Sequence, residues 1–406
     1  MVETFKFYRG GQQPCKYSRV ASFTRPVWFV PGVPMVARVG GVLLLVLLCT
    51  RGVPAINSVT PPAGGPPIPP LAGGVEIEGI HGWFANIYPW KYMPNVSTVF
   101  PVRSLWTQPN DYQSPADIAR QNAVLEEYGS GADVLQYSAN PDAPDYNQWL
   151  RTYFTNGDRP FFVAYEHIYG TRLIPDNGAK DMNIPYNRIA FKNDVDAIYR
   201  KVIVPFQHRY VTYHGRAVIF LWAARAMYGD FASLLDEVRA EYPVAFIGSV
   251  GLMQLPSDAS ALKNSSALDG FMEYGLYAPS YDTMTTTYFE NSGKWRRIVR
   301  GFEAATGRKY LFIPTFQAAF DNSKYTEGVP PMYPVDRAEI LHHAQNIKQE
   351  FGTAYDPLGP FVVFSELIEG AAVIQSQCIS DTLDKRDRWV GCGTGRLDIL
   401  KEYFGN

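Results

Sequence analysis

What this sequence lacks narrows it quickly. Its 37 Lys and Arg stand against 39 Asp and Glu over 406 residues, a formal charge of -2, with no basic stripe and no block of like charge. Nucleic acid and anionic membrane surfaces are therefore set aside as main partners. The first apolar run is not followed by a GxGxxG turn, which removes the mark of a dinucleotide fold. The six histidines form no HExxH. Two of them, His342 and His343, are adjacent in a helical segment, where consecutive side chains diverge. Gly248-Ser249 continues as Val250-Gly251, so no GxSxG marks a serine nucleophile. Nothing calls for an organic cofactor or a metal, and a metal site on His81, His167 and a carboxylate is the one such alternative left open.

Long apolar runs and cysteines are also scarce. The stretch "MVARVGGVLLLVLLCTRGVPA" from Met35 has an arginine, apolar residues from Val39 to Leu48, and small residues near Ala55. It is too short for a membrane span, which needs about 20 residues, and reads as a secretory signal peptide. We expect the natural start at Met35, residues 1–55 as extension plus signal, 56–74 as a Pro/Gly-rich linker, and 75–406 as the folded domain. Cys49 follows Leu48, a poor lipoprotein signal, so membrane attachment is expected only through such an anchor, and the chain is expected in the cell envelope or secreted. There are four cysteines. Processing would leave Cys378 and Cys392, expected as a disulfide closing a short loop; two unpaired buried thiols are the alternative.

From Val75 onward, short apolar runs alternate with segments of helical period. The runs lie near Ile80 and over Ala132–Ser138, Arg159–Glu166, Arg216–Ala223, Val244–Val250, Leu268–Gly275, Lys309–Gln317 and Phe361–Glu366. Their unbroken apolar character suits parallel strands covered on both faces. Helices are expected after Ser114-Pro115 as far as Gly129, near Asp145–Phe154, Asp194–Tyr210 and Tyr288–Thr306, over the stripes that begin at Phe231 and Ile340, and at the C-terminus. The segment after Val250 is only weakly helical. Eight such alternations predict an α/β fold, a (β/α)8 TIM barrel, with an open doubly wound sheet as the alternative.

In a barrel the C-terminal strand ends build the site, and unusual polar and aromatic residues stand there. Tyr88 and Trp90 follow the first strand, Glu166 and His167 the third, and Trp222 the fourth. Glu273 and Tyr274 end the sixth strand, Gln317 and Asp321 the seventh, and Glu366 and Glu369 the eighth. Residues three apart on a regular strand face opposite ways, so the last two acids meet only if the chain turns at Leu367-Ile368-Glu369-Gly370. Structural readings exist for both: Glu366 as a carboxylate held by an arginine or by amides, and Glu369 as a first-turn acid favoured by a helix dipole. The functional reading is a glycosidase, which needs one acid for the leaving oxygen and a second carboxylate for the developing cation. Tyrosine and tryptophan, at 26 and 8 residues, also suit stacking on sugar faces.

These residues resemble a known family. "FVVFSELIEGAAVIQSQ" is similar to the "SFNEWHEGTQIEPS" segment of glycoside hydrolase family 99, the endo-α-mannosidases. "FANIYPWKY", "FFVAYEH" and "PTFQAAFDN" resemble further segments in the same order, over roughly Ile80 to Gln377. The resemblance implies a (β/α)8 barrel that cleaves glycans with retention. Glu369 would be general acid/base, and Glu366 would assist the substrate's 2-hydroxyl in forming a 1,2-anhydro sugar. Tyr88, Trp90, Glu166 and Glu273 would line the sugar subsites. The family's Asn-Glu-Trp is Ser365-Glu366-Leu367 here, with Ile368 for its histidine and Ala371 for its threonine. Sugar identity therefore stays open, as does a conventional glutamate nucleophile. The chain is expected to be a retaining glycoside hydrolase, monomeric, with a glycan as its partner. A noncatalytic glycan-binding barrel and a transglycosylase are the alternatives.

Overall fold

The structure is a computed structural model that describes residues 71–87, 102–104, 115–138, 144–167, 172–174, 178–320, 332–352, 359–366, 376–378 and 394–405. Eight parallel strand positions form its centre: β1 (Trp83–Ile87), β2 (Ser130–Ser138), β3 (Phe161–Glu166), β4 (Arg216–Leu221), β5 (Val244–Gly248), β6 (Gly270–Met272), β7 in two pieces (Leu311–Ile313 and Thr315–Phe316), and β8 (Val363–Glu366). Each pairs with the next in order, and β8 pairs with β1. The ring closes through the two halves of β7. Leu311–Ile313 pairs with β6, whereas Thr315–Phe316 pairs with β8. Pro314 lies between them; it has no N–H for a ladder, and its carbonyl accepts from the Phe364 amide at 2.9 Å.

Among the described residues one α-helix follows each strand position: α1 (Pro115–Glu127), α2 (Pro144–Asn156), α3 (Pro185–Ile198), α4 (Phe231–Glu241), α5 (Ala259–Ser266), α6 (Tyr281–Thr306), α7 (Arg337–Ile347) and α8 (Gly395–Phe404). The first three start on proline, whose fixed φ suits a first turn and whose missing N–H costs nothing there. Asp258, Ser280 and Asp336 cap α5, α6 and α7, each accepting from an amide three residues on. The expected (β/α)8 barrel is therefore the fold. Two helix boundaries differ from expectation. α3 begins nine residues before Asp194, on Pro185, and after the π turn Tyr199–Ile203 the chain meets Pro205, which cannot continue a helix. α6 begins at Tyr281 because Tyr281, Met284, Thr285 and Tyr288 bury themselves.

Ring contacts identify the inner face of the barrel. Phe220 on β4 meets Phe364 on β8, four strands away, at 6.2 Å between ring centroids. Phe84 on β1 reaches over β2 to Phe162 on β3 at 5.4 Å. Such contacts pass only through the interior, so the alternate positions Asn86, Ala164, Glu166 and Trp222 follow the inner face upward. The floor is held by a buried carboxylate, Asp269. It receives Arg216, Arg239 and Arg308 and the Phe246 amide, each at 2.8 Å. A second buried pair, Asp133 with Arg159, joins β2 to the start of β3 at 3.1 Å.

All described residues fall within one compact unit, Thr60–Asn406. The expected extension, its signal and the linker up to residue 70 lie outside the described residues, as does Cys392. Cys378 ends a short strand (Ser376–Cys378) antiparallel to Val102–Ser104, and its side chain also lies outside them. Among the described residues no helix is long and apolar enough to cross a membrane.

Candidate active site at the barrel mouth

The mouth is built where β3, β4, β6 and β8 end. Glu166 closes β3 on the inner face. It is buried and accepts from the Gln136 side-chain amide of β2 at 3.4 Å. Above β4, Trp222 packs edge-on against Tyr274, which follows β6, at 5.8 Å and 89°. Tyr274 continues down to Phe364 at 6.3 Å. These rings form one apolar wall running from the interior to the half-buried mouth.

β8 brings the backbone as far as position 366 beside that wall. Its last pair sets Glu366 opposite Asn86, a buried amide on β1. Backbone alternation puts position 366 on the face of Phe364. Ser365, standing where the resembling family has asparagine, donates its hydroxyl to the Phe316 carbonyl at 3.0 Å and so ties β8 to β7. The Glu366 carboxylate and all of Tyr88, Trp90, Asp321 and Glu369 lie outside the described residues.

Glu273 and Gln317 are engaged with loops. The Glu273 carboxylate is buried; it accepts from the Ser249 hydroxyl and from the Leu252 amide, the latter at 2.6 Å, and faces Arg225 at 3.8 Å. It thereby joins the end of β6 to the loop after β5. The Gln317 carbonyl oxygen accepts from the Leu276 amide at 3.2 Å, and its NH2 donates to the Ala319 carbonyl. Its own backbone amide donates to His343 Nε2 of α7 at 3.3 Å. His343 sits among the rings of Tyr281, Tyr288, Phe289 and Phe316.

His167 lies on the other side of β3 from Glu166, stacked at 6.0 Å on Tyr165, whose hydroxyl donates to Asp194 of α3 at 2.6 Å. Burial first, and the charge of Lys180 second, push its pKa down to about 3, so the ring is neutral at neutral pH. His81 is exposed before β1, at the floor end, whereas His167 follows β3 at the mouth end. The alternative metal site that joined them is not assembled. Among the described residues no group of three or more His, Cys, Asp or Glu side chains could hold a metal.

The residues missed from sequence are those that link loops. Gln136 carried a signal, a lone amide within the apolar run of β2. Ser249 carried none, because its role depends on which loop closes over it. Ala223 is another: it adopts φ 49°, ψ 45°, the left-handed region, between Trp222 and the turn that presents Arg225. A non-glycine residue there is strained.

Comparison with known proteins bears on the fold. No protein-family model matches the chain, and no curated protein matches it. Among solved structures, a GH99 endo-α-mannosidase from Bacteroides thetaiotaomicron superposes with a TM-score of 0.54 at 12% identity, over 80% of this chain and 97% of that one. A second structure of an endo-α-mannosidase of that family and organism gives 0.52 at 13%, with the same coverage. A glycoside hydrolase-like protein gives 0.53 at 13%, over 84% of this chain and 98% of that one. The barrel is similar in architecture to these structures. At such identities the likeness concerns architecture, the (β/α)8 barrel.

Proposed function

We propose that this chain is a retaining glycoside hydrolase acting on a polysaccharide or oligosaccharide, with Glu366 and Glu369 as its acid pair. The observation that carries the reading is the position of Glu366: last residue of β8, opposite Asn86, on the face that bears Phe364 below Trp222 and Tyr274. In this reading Glu369 protonates the leaving oxygen as the glycosidic bond breaks, then takes a proton from the incoming water. Glu366 either withdraws the proton of the substrate's 2-hydroxyl, whose oxygen closes on the anomeric carbon, or attacks that carbon itself. The ring wall covers one sugar face, and Glu166, positioned by Gln136, accepts from a sugar hydroxyl. An α-mannan-like substrate is the first to test, because two of the matching structures are endo-α-mannosidases. Export from a start at Met35, an envelope or extracellular site, the Cys378–Cys392 disulfide and a monomeric state belong to the same proposal.

The test is turnover of α-mannans, α-glucans and bacterial envelope polysaccharides by the wild type, Glu366→Gln and Glu369→Gln. General acid–base catalysis contributes roughly 10²–10⁴-fold, so each variant should lose at least about 100-fold in kcat while still binding. Unchanged turnover in both variants removes the site assignment. Binding without turnover by the wild type replaces the hydrolase with a glycan-binding barrel, and products longer than the substrate replace it with a transglycosylase.

A further inference from the structure

A cleft of about 430 Å³ opens beside the mouth, between the loops after β4 and β5, over the short helix α5. Its volume is in the range of ligand pockets, roughly 300–1,000 Å³. Phe231 at the start of α4 and Trp295 of α6 close its inner side. Four large apolar side chains are prominently exposed among the described residues, namely Ile174, Tyr228, Leu255 and Val335. Two of the four, Tyr228 at 47% and Leu255 at 44%, line this one cleft. Exposed apolar groups gathered at a concave site mark a binding surface more strongly than scattered ones.

Arg225 links the lining of the cleft to the end of β6. This side chain lines the cleft, is 59% exposed, and has its guanidinium 3.8 Å from the Glu273 carboxylate below the mouth. Gly251, at φ +82°, lets the β5 loop pass close to it: a Cβ there would lie 3.3 Å from Arg225 Cδ. The lining thus includes a phenol ring, a leucine, a guanidinium and the Gln254 side chain. A pyranose has matching needs, with an apolar C–H face and a rim of hydroxyls.

We infer that this cleft is an accessory subsite that holds a further sugar unit of a substrate chain whose scissile bond lies in the mouth. The inference rests on the glycoside hydrolase reading. It makes the substrate an oligomer long enough to cross Arg225, with Tyr228 as a residue that favours longer chains.

The experiment measures kcat, KM and direct binding for oligosaccharides of two to six units made from α-mannan and α-glucan, with the wild type, Tyr228→Ala, Tyr228→Phe and Leu255→Ala. A ring contact of ordinary strength is worth about three- to tenfold in affinity. KM should fall by about that factor once the chain is long enough to reach the cleft. Tyr228→Ala should abolish this gain with kcat unchanged and the shortest substrates unaffected, and Tyr228→Phe should restore it. An undiminished chain-length gain in Tyr228→Ala and Leu255→Ala overturns the subsite and leaves the hydrolase reading standing. If the sugars bind but are not cleaved, the hydrolase reading fails, and the same comparison on Kd decides the subsite. Absence of binding to every oligosaccharide overturns both.

Discussion

Replacing Asp269 by asparagine tests how the barrel floor is held. The carboxylate is fully buried and receives three guanidinium groups and the Phe246 amide, each at 2.8 Å. Burial alone pushes its pKa up, but Arg239, Arg216, the Phe246 amide and Arg308 together outweigh that, so the carboxyl titrates below its ordinary value. Asparagine keeps the shape and one acceptor but leaves three cations around a neutral group. Breaking a buried ion pair from one side costs about 3–5 kcal/mol. The full chain carrying Asp269→Asn should lose about that much in urea unfolding followed by tryptophan fluorescence at pH 7. The sign with pH follows from the depressed pKa: the contribution is present above the unfolded value of about 3.9 and is lost as pH falls through the lower folded value. The gap between wild type and variant should therefore close below about pH 4. Turnover should not change at temperatures where the variant is folded, because the floor and the mouth are opposite ends of the strands. A loss under about 1 kcal/mol, or a gap that widens in acid, would refute the account.

Two further expectations come from single residues. His167 and His343 are both held near a pKa of 3, each chiefly by burial. Unfolding should then take up about two protons between pH 6.5 and 3, with stability falling as pH drops through that window. His343→Gln should reduce the pH slope of urea-melt stability by about one proton, and an unchanged slope would show that the ring titrates normally. Ala223 sits at φ 49°, so Ala223→Val should cost about 1–3 kcal/mol while Ala223→Gly is tolerated. Thermal melts of the two variants check this, and equal stability would mean the turn is unstrained.

The eight strands were legible because burial on both faces leaves a continuous apolar run, a signal that needs no knowledge of neighbours. Proline starts and glycine stops made α1 and the end of α6 legible in the same way: Gly129 and Gly307 both have φ near +70°. The start of α6 was hidden by "YDTMTTT", a poor helix former on propensity alone, where packing of Tyr281 and Met284 decides. Glu166 and His167 were read together as mouth residues, whereas the structure sets them on opposite sides of β3, as strand alternation dictates. The partners of Glu273 and Gln317 were not legible, since Ser249, Leu252 and Leu276 belong to loops that meet only after the ring has closed.

The interruption at Pro314 has a bearing on how β8 is held. On one flank, β8 is aligned by four successive pairs with β1; on the other, it has two, with Thr315 and Phe316, beside the Phe364 amide's bond to the Pro314 carbonyl. Thr315 is itself braced, donating its amide to the Tyr288 hydroxyl at 2.8 Å and its own hydroxyl to the Glu273 carbonyl at 2.6 Å. The last stave is therefore held unevenly, firmly along one edge and by a short splint along the other, so an alteration of that splint loosens one side of it alone.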